Sequence, residues 1–578
     1  MKGMGKKLIV ALALGGLLAG CDSGDINISP STADNSTDNS VNNSNNTTTT
    51  PVPDVNPCAS YTNTGGQTIQ GTYDGLDCTY TPTFVDAGNN LTVDMTVPAL
   101  PNGGAHIFQG SLFVGENYTS NAELAAAGIA EGGDGPTLTI EAGATLAFQS
   151  QQQFVIIMRG SQIFAVGTAT APITFTSVSD IESQRAVAGG GAATLAFDAV
   201  QQWGGMVING FGISNRCPYT GALAVDANGR VTGQGTLALN GECNVRAEGA
   251  AGLDESQYGG GNYLDSSGRL EYVRTKHTGA EVANGDELNG ISFGGVGKNT
   301  IIRNLQIYSS YDDGIELFGG SVDIQNYVAV YVRDDSIDID EGYNGTITNA
   351  LVIQSETDGN HCIESDGVAS WSAGVVSDTA ATANINSRPV ITNLTCIVSP
   401  NGAATATHDP GAGWLIRERN YPVISDSLVV TIGTDSADSN YCFSAVRESD
   451  AAFANGDAAI NSTIFTCNES SAGGTIGGTA DTTFLATNGG NQFASAGAAG
   501  AAAANLTAAA DSDWQILEGT PPIYTIAPAS MVVGGAAPTA AAPASGRYGA
   551  LSTAIADWTL NWTYGIHDGS RGAPLWFE

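Results

Sequence analysis

The stretch "IRNLQIYSS" (Ile302–Ser310) returns as "IQNYVAVYV" (Ile324–Val332), "ITNALVIQS" (Ile347–Ser355) and "ITNLTCIVS" (Ile391–Ser399). Each copy holds a β-branched residue, a spacer, an asparagine and an apolar run. The asparagines Asn304, Asn326, Asn349 and Asn393 advance by 22, 23 and 44 residues. Weaker copies begin at Ile424 ("ISDSLVVTI") and Ile460 ("INSTIFTCN"). Short β-rich runs bounded by Gly, Asn or Asp read as strands and turns. A unit this small cannot bury its own apolar face and must stack on the next one. Strands stacked in register predict an all-β right-handed parallel β-helix, a solenoid with loop excursions and a C-terminal cap. The repeated Asn suits a bend between strands, because its side chain tolerates left-handed backbone. Stacked asparagines can also hydrogen-bond from coil to coil.

Working outward, "TLTIEAGATLAF", "QFVIIMRGSQIFAVGT", "APITFTS" and "WGGMVING" continue the pattern towards the N-terminus. The predicted order is an N-terminal cap with first strands over 57–136, the helix over 137–470, an Ala/Gly-rich insertion or loops over 471–545, and a cap over 546–578. Residues 211–265 read as an excursion stapled by a disulfide. The closing "DWTLNWTYGIHDGSRGAPLWFE" is expected to cover the last coil, since solenoid ends need covering.

The chain has 578 residues and a net charge of -37, and Lys276 and Lys298 are its only lysines beyond residue 7. So acidic a surface repels nucleic acid and anionic headgroups and can collect divalent cations. The first residues read as a targeting segment. Lys2, Lys6 and Lys7 precede "LIVALALGGLLAG", too short for an ordinary transmembrane helix, and the run ends in "LLAGC". That order resembles the lipobox of bacterial lipoproteins. It implies a signal peptide over 1–20, lipidation of Cys21 and anchorage to a membrane. Asp22 is a sorting signal for the inner membrane in some bacteria; the expected location remains the cell envelope, at the outer membrane or cell surface. Residues 21–56 are polar and cannot build a core; they read as a disordered tether. Eight further cysteines, an even number in an exported chain, read as disulfides. Their spacing suggests neighbour pairs: Cys58 with Cys78, Cys217 with Cys243, Cys362 with Cys396, and Cys442 with Cys467.

"GTATAPITFTS", "WGGMVING", "ELNGISFGGVGKNT", "YDDGIELFGGSV" and "DDSIDIDEGYNG" resemble a family of bacterial surface and secreted β-helix proteins, often called lipoproteins, with a fold like that of the pectin-lyase-like superfamily. The resemblance covers roughly 137–470. It implies a fold shared by lyases, hydrolases, adhesins and scaffolds, so it does not by itself assign an activity.

Carboxylates recur with the repeat. Asp313, Asp335 and Asp358 each lie nine residues after an Asn, and Glu316 and Asp338 lie twelve after. A two-residue insertion in the third coil brings up Glu364 instead. Equivalent positions in neighbouring coils lie about 4.8 Å apart, so two columns of acids are expected, joined by Asp312, Asp334, Asp340 and Glu341. Like charges at that distance must take up protons, face water or hold a cation. Three readings follow. The acids mark solvated turns, or they bind Ca²⁺ through Asp313, Glu316, Asp335, Asp338, Asp358 and Glu364, or a pair of them performs acid/base chemistry on a sugar.

For an enzyme, the resemblance implies work on a glycan along the outer face of a sheet. "DDSID" is similar to the aspartate pair of polygalacturonases, but their His-Gly and Arg-Ile-Lys signatures are missing. The candidate catalytic residues are Asp335, Asp338, His361, His408 and Arg417. Within "HDPGAGWLIRERN" (408–420), Trp414 could stack on a sugar while Arg417 and Arg419 meet a carboxylate; the plainer reading is core packing for Trp414 and ion pairs for the arginines. Against the enzyme stands a surface binding or scaffold module, adhesin-like, with a glycan or an outer-membrane protein as partner, no nucleic acid, and Ca²⁺ as cofactor. Its rigid rod, disulfides and anchor suit display.

Overall fold

The computed structural model describes residues 56–578 except 130–131, 239–241, 251, 284–285, 369–384, 400–409, 432–439, 468–470, 494–538, 552–554, 568, 571–572, 574 and 577–578. The strands stack as a parallel β-helix. Nine of them form one sheet in which every neighbour is parallel, from Leu112–Val114 through Ile315–Phe318 and Ile337–Asp340 to Phe443–Ala445. The Asn-bearing repeats lie in another sheet, where Ile302 pairs in register with Ile324, Ile324 with Ile347 and Ile347 with Ile391.

Each long strand bends at its asparagine. Asn304, Asn326, Asn349 and Asn393 have φ between 53° and 62°, the left-handed region, and Asp426 and Ser462 take the same place in the weaker copies. Asn349 Nδ2 donates to Asn326 Oδ1 across 2.9 Å, linking two coils. The column starts one coil earlier than the asparagines do, at Tyr272 (φ 52°), which lies beside Asn304 between the pairs Glu271–Arg303 and Val273–Leu305. Leu305, Ile307, Ile315, Leu317, Ile337 and Ile339 point inwards and are fully buried.

The four disulfides are the neighbour pairs expected. The Cys217–Cys243 bond lies in the 211–265 excursion, whose Ile213, Tyr219, Leu223 and Val231 build a satellite core with Val368 and Ile385. Coil stacking begins before residue 137. Cys78–Tyr80 is already parallel to His106–Phe108, and Met95–Val97 to Thr137–Ile140, behind an antiparallel hairpin of Ser60–Thr62 and Thr68–Gln70.

Two features differ from expectation. Val178–Ala188 is an α-helix, started by Ser177 Oγ accepting from Asp180 N; the Ser-x-x-Asp spacing is a capping signal. The C-terminal segment is not a cap over the last coil. It runs along the side of the solenoid, with Tyr548, Leu551, Trp562, Ile566 and Leu575 packed on Val328, Val330, Leu351, Ile353, Ile397 and Val430. Gln306 and Tyr564 exchange two hydrogen bonds of 2.7 Å with each other. The reason lies in the repeats: "YVAVYV" and "ALVI" are apolar on both faces of the strand, so the outward face needs a cover.

Candidate functional site

The acids sit on the outward face of the nine-stranded sheet and in the turn before it. Ile315, Leu317, Ile337 and Ile339 face the core, so the alternate residues Glu316 and Asp338 face outwards. Glu316 pairs in register with Asp338, and Asp338 with Glu364. The second column is made by the turn. Asn289 Oδ1 accepts from Asp313 N at 3.1 Å, Asp313 Oδ1 from Asp335 N at 2.9 Å, and Asp335 Oδ1 from His361 N at 2.7 Å. Each side chain thus satisfies the backbone of the next coil.

His361, not Asp358, is therefore the third member of this column. The insertion in the third coil is three residues, not the two expected, since Glu364 lies fifteen after Asn349 where its partner Asp338 lies twelve after Asn326. It precedes His361 and displaces Asp358 to the edge, where its Oδ2 lies 3.6 Å from Arg333 Nε. His361 Nδ1 lies 2.9 Å from Asp335 Oδ1 and 3.5 Å from Glu364 Oε2, and its Nε2 lies 2.9 Å from Tyr441 Oη. Its neighbour Cys362 is bonded to Cys396, so no thiol is available beside the imidazole.

Ligand atoms approach within 4.8 Å of one another in three groups: Asp312 with Asp313 and Asp334; Asp313 with Glu316 and Asp338; and Asp335 with His361 and Glu364. The first two offer only carboxylate oxygens, the donors a hard cation takes. The third includes a nitrogen, and Arg417 already pairs with its Glu364 and, at 2.5 Å, with Asp366.

Little positive charge offsets these acids. Burial first, then neighbouring carboxylates, push Asp312, Asp313, Glu316, Asp335, Asp338 and Asp340 well above the usual carboxylate range. Burial and Asp335 push Glu364 up to about 8, although His361 and Arg417 pull it down. A bound cation would reverse the balance by neutralising the group in place of protons. Glu341 is different: its carboxylate accepts from Ser214, Tyr258 and Arg216, tying the coil to the 211–265 excursion.

The remaining candidates separate. Trp414 is fully buried against Phe465, edge to face with centroids 5.2 Å apart, so it cannot stack on a ligand. Its strand alternation places it inwards, beside Ile363 and Phe443 in register. Arg419 is buried and donates to Glu448 at 2.5 Å, away from the ladder acids that Arg417 meets. Cys21 and His408 lie outside the described residues. Asn289 and Tyr441 were not anticipated. For Asn289 a signal existed, because "NGI" at 289–291 stands where the next coil has "DGI" at 313–315. Tyr441 had none; its contact with His361 is tertiary.

Among the described residues no helix is long and apolar enough to cross a membrane. A family profile, described as "Pectate-lyase like beta helix domain", matches residues 116–510. Comparison with curated proteins and with solved structures finds no match.

Proposed function

The chain belongs to the pectate-lyase-like β-helix domain family, and from that premise we propose that it is a lipid-anchored, surface-displayed binding scaffold whose carboxylate ladder holds Ca²⁺. The observation that carries the reading is the stack of buried Asp313 and Glu316 with half-buried Asp338, whose oxygens approach within 4.8 Å with no ion pair to a cationic side chain among the described residues. Buried carboxylates so placed cannot all ionise without a counter-charge. A divalent cation supplies one and cross-links neighbouring coils. The "LLAGC" segment and polar tether support display at the cell envelope, and a stiff disulfide-linked rod suits holding a glycan or a protein partner away from the membrane.

The test is calcium titration of the chain lacking residues 1–21, by calorimetry and thermal melting, beside Asp313→Asn/Asp335→Asn. The expected result is saturable binding with a higher melting temperature, lost in the double variant. Absence of both heat and shift in the wild type refutes the cation reading.

One arrangement favours a second reading, a Ca²⁺-dependent polysaccharide lyase or hydrolase. Asp335, His361 and Tyr441 form a hydrogen-bonded chain at 2.9 Å per step, beside a ladder suited to an acidic sugar's metal. Asp335 would orient the imidazole, and His361 would accept a proton from Tyr441. Release of unsaturated or reducing ends from a polyuronate in Ca²⁺, abolished by Tyr441→Phe, would support it. No release from any glycan screened leaves the binding reading in place.

A further inference from the structure

The helix Val178–Ala188, the loop that follows it and the C-terminal segment enclose a cleft of about 720 Å³ over the outer face of the strand Gly268–Thr278. That volume is in the range of small-molecule sites, roughly 300–1,000 Å³. The cleft lies on a different sheet from the acid ladder. Its walls are mostly apolar, including Val187, Ala196, Phe197 and Tyr564. Val187 and Phe197, 52% and 39% exposed, are two of the few large apolar side chains that the described surface leaves open.

Two cationic side chains meet here: Arg274 lines the cleft, and Lys276 lies behind Tyr564. Lys276 is fully buried, lies 3.7 Å over the Tyr564 ring, and is neutralised by Asp180 at 2.6 Å. Asp180 is then saturated, since its Oδ2 also accepts from Thr176 and Gln184 and its Oδ1 lies 3.4 Å from His277 Nε2. Arg274 is left over. Its Nε and Nη2 donate to Thr174 Oγ1 at 3.1 and 2.7 Å, which fixes the guanidinium, and no carboxylate among the described residues pairs with it. Burial lowers its pKa to about 10, against the pull of Asp180, so it stays charged at neutral pH. A fixed, partly desolvated guanidinium with donors to spare is a carboxylate receptor.

We infer that this cleft is a binding site for an amphipathic monocarboxylate, the acid end on Arg274 and a ring against Phe197 and Tyr564. In a chain of net charge -37, an anion reaches the surface only where local charge is reversed, and the apolar walls select a ligand with a hydrophobic body.

The experiment is titration of the chain lacking residues 1–21 with benzoate, with benzyl alcohol as the neutral counterpart and glucuronate as the polar acid. Aromatic fluorescence and ligand-observed NMR report binding. Saturable benzoate binding is expected, at least tenfold tighter than either control, and weakened at least tenfold in Arg274→Gln at an unchanged melting temperature. Phe197→Ala, a partly exposed site, serves if Arg274→Gln fails to fold, and should weaken benzoate while leaving glucuronate unchanged. No saturable benzoate binding to the wild type, or equal binding of benzyl alcohol, overturns the inference. Glucuronate binding as tightly as benzoate overturns the apolar half of it.

Discussion

Replacing Glu364 with glutamine should stabilise this protein at neutral pH when divalent cations are absent. Glu364 is buried at the end of the outward column, in register with Asp338. Burial and Asp335 raise its pKa from an ordinary 4.5 to about 8. A carboxyl whose folded pKa is raised favours the folded state fully below its unfolded value. That contribution is lost as pH climbs to the folded value. Each unit corresponds to about 1.4 kcal/mol, so between pH 4.5 and 7 the wild type should lose about 3 kcal/mol through this residue, and about 4 kcal/mol by pH 8. Glutamine keeps an acceptor oxygen for Arg417 and has no proton to lose. It also removes a like charge facing Asp335. An unfolding entropy of about 2 cal/mol/K per residue gives about 1 kcal/mol/K for a chain of this size. The variant should therefore melt about 3 °C above the wild type at pH 7 in chelator, and no higher at pH 4.5. The assay is thermal melting of both proteins from pH 4.5 to 8 with EDTA, repeated with Ca²⁺. A pH-independent difference, or a wild type that gains stability as pH rises through that window, would refute the picture of uncompensated buried acids.

Two further outcomes follow from the packing. Trp562 is fully buried in the cluster that fastens the C-terminal segment to the side of the solenoid. Trp562→Ala should cost that contact about 3–5 kcal/mol, seen as rapid protease cleavage beyond residue 539 while the coils resist; equal resistance in variant and wild type would argue against the lateral cover. Cys362–Cys396 closes 34 residues and joins the ladder strand His361–Asp366 to the repeat strand Val390–Val398. Its removal by Cys362→Ser/Cys396→Ser should cost about 4 kcal/mol on the chain-entropy estimate, a fall of about 4 °C by the same entropy per residue, and the other three bonds should still form, as thiol titration of the folded protein would show.

Much of this molecule is legible in one dimension because a solenoid makes its contacts between neighbouring repeats. The recurrence of Asn304, Asn326, Asn349 and Asn393 determined the stacking and the bend, and cysteine spacing suggested the neighbour pairs that the folded chain forms. The match of Glu316 with Asp338 followed from counting residues along the coils, whereas Glu364 needed an insertion one residue longer than the count allowed. What counting could not place is whatever an insertion shifts. Asp358 keeps its distance from Asn349 but leaves the column, because the extra residues lie between it and the strand, and His361 inherits the position. Composition around Trp414 and Arg417 suggested a common binding surface, yet strand alternation, decided by which neighbours bury, sent one inwards and the other outwards. The lateral path of the C-terminal segment, the Tyr441–His361 contact and the cleft over Arg274 each join residues scores to hundreds of positions apart. Only the folded chain brings these together, because the apolar outer face of the repeats can be covered by any segment of suitable shape, and sequence distance says nothing about which one arrives.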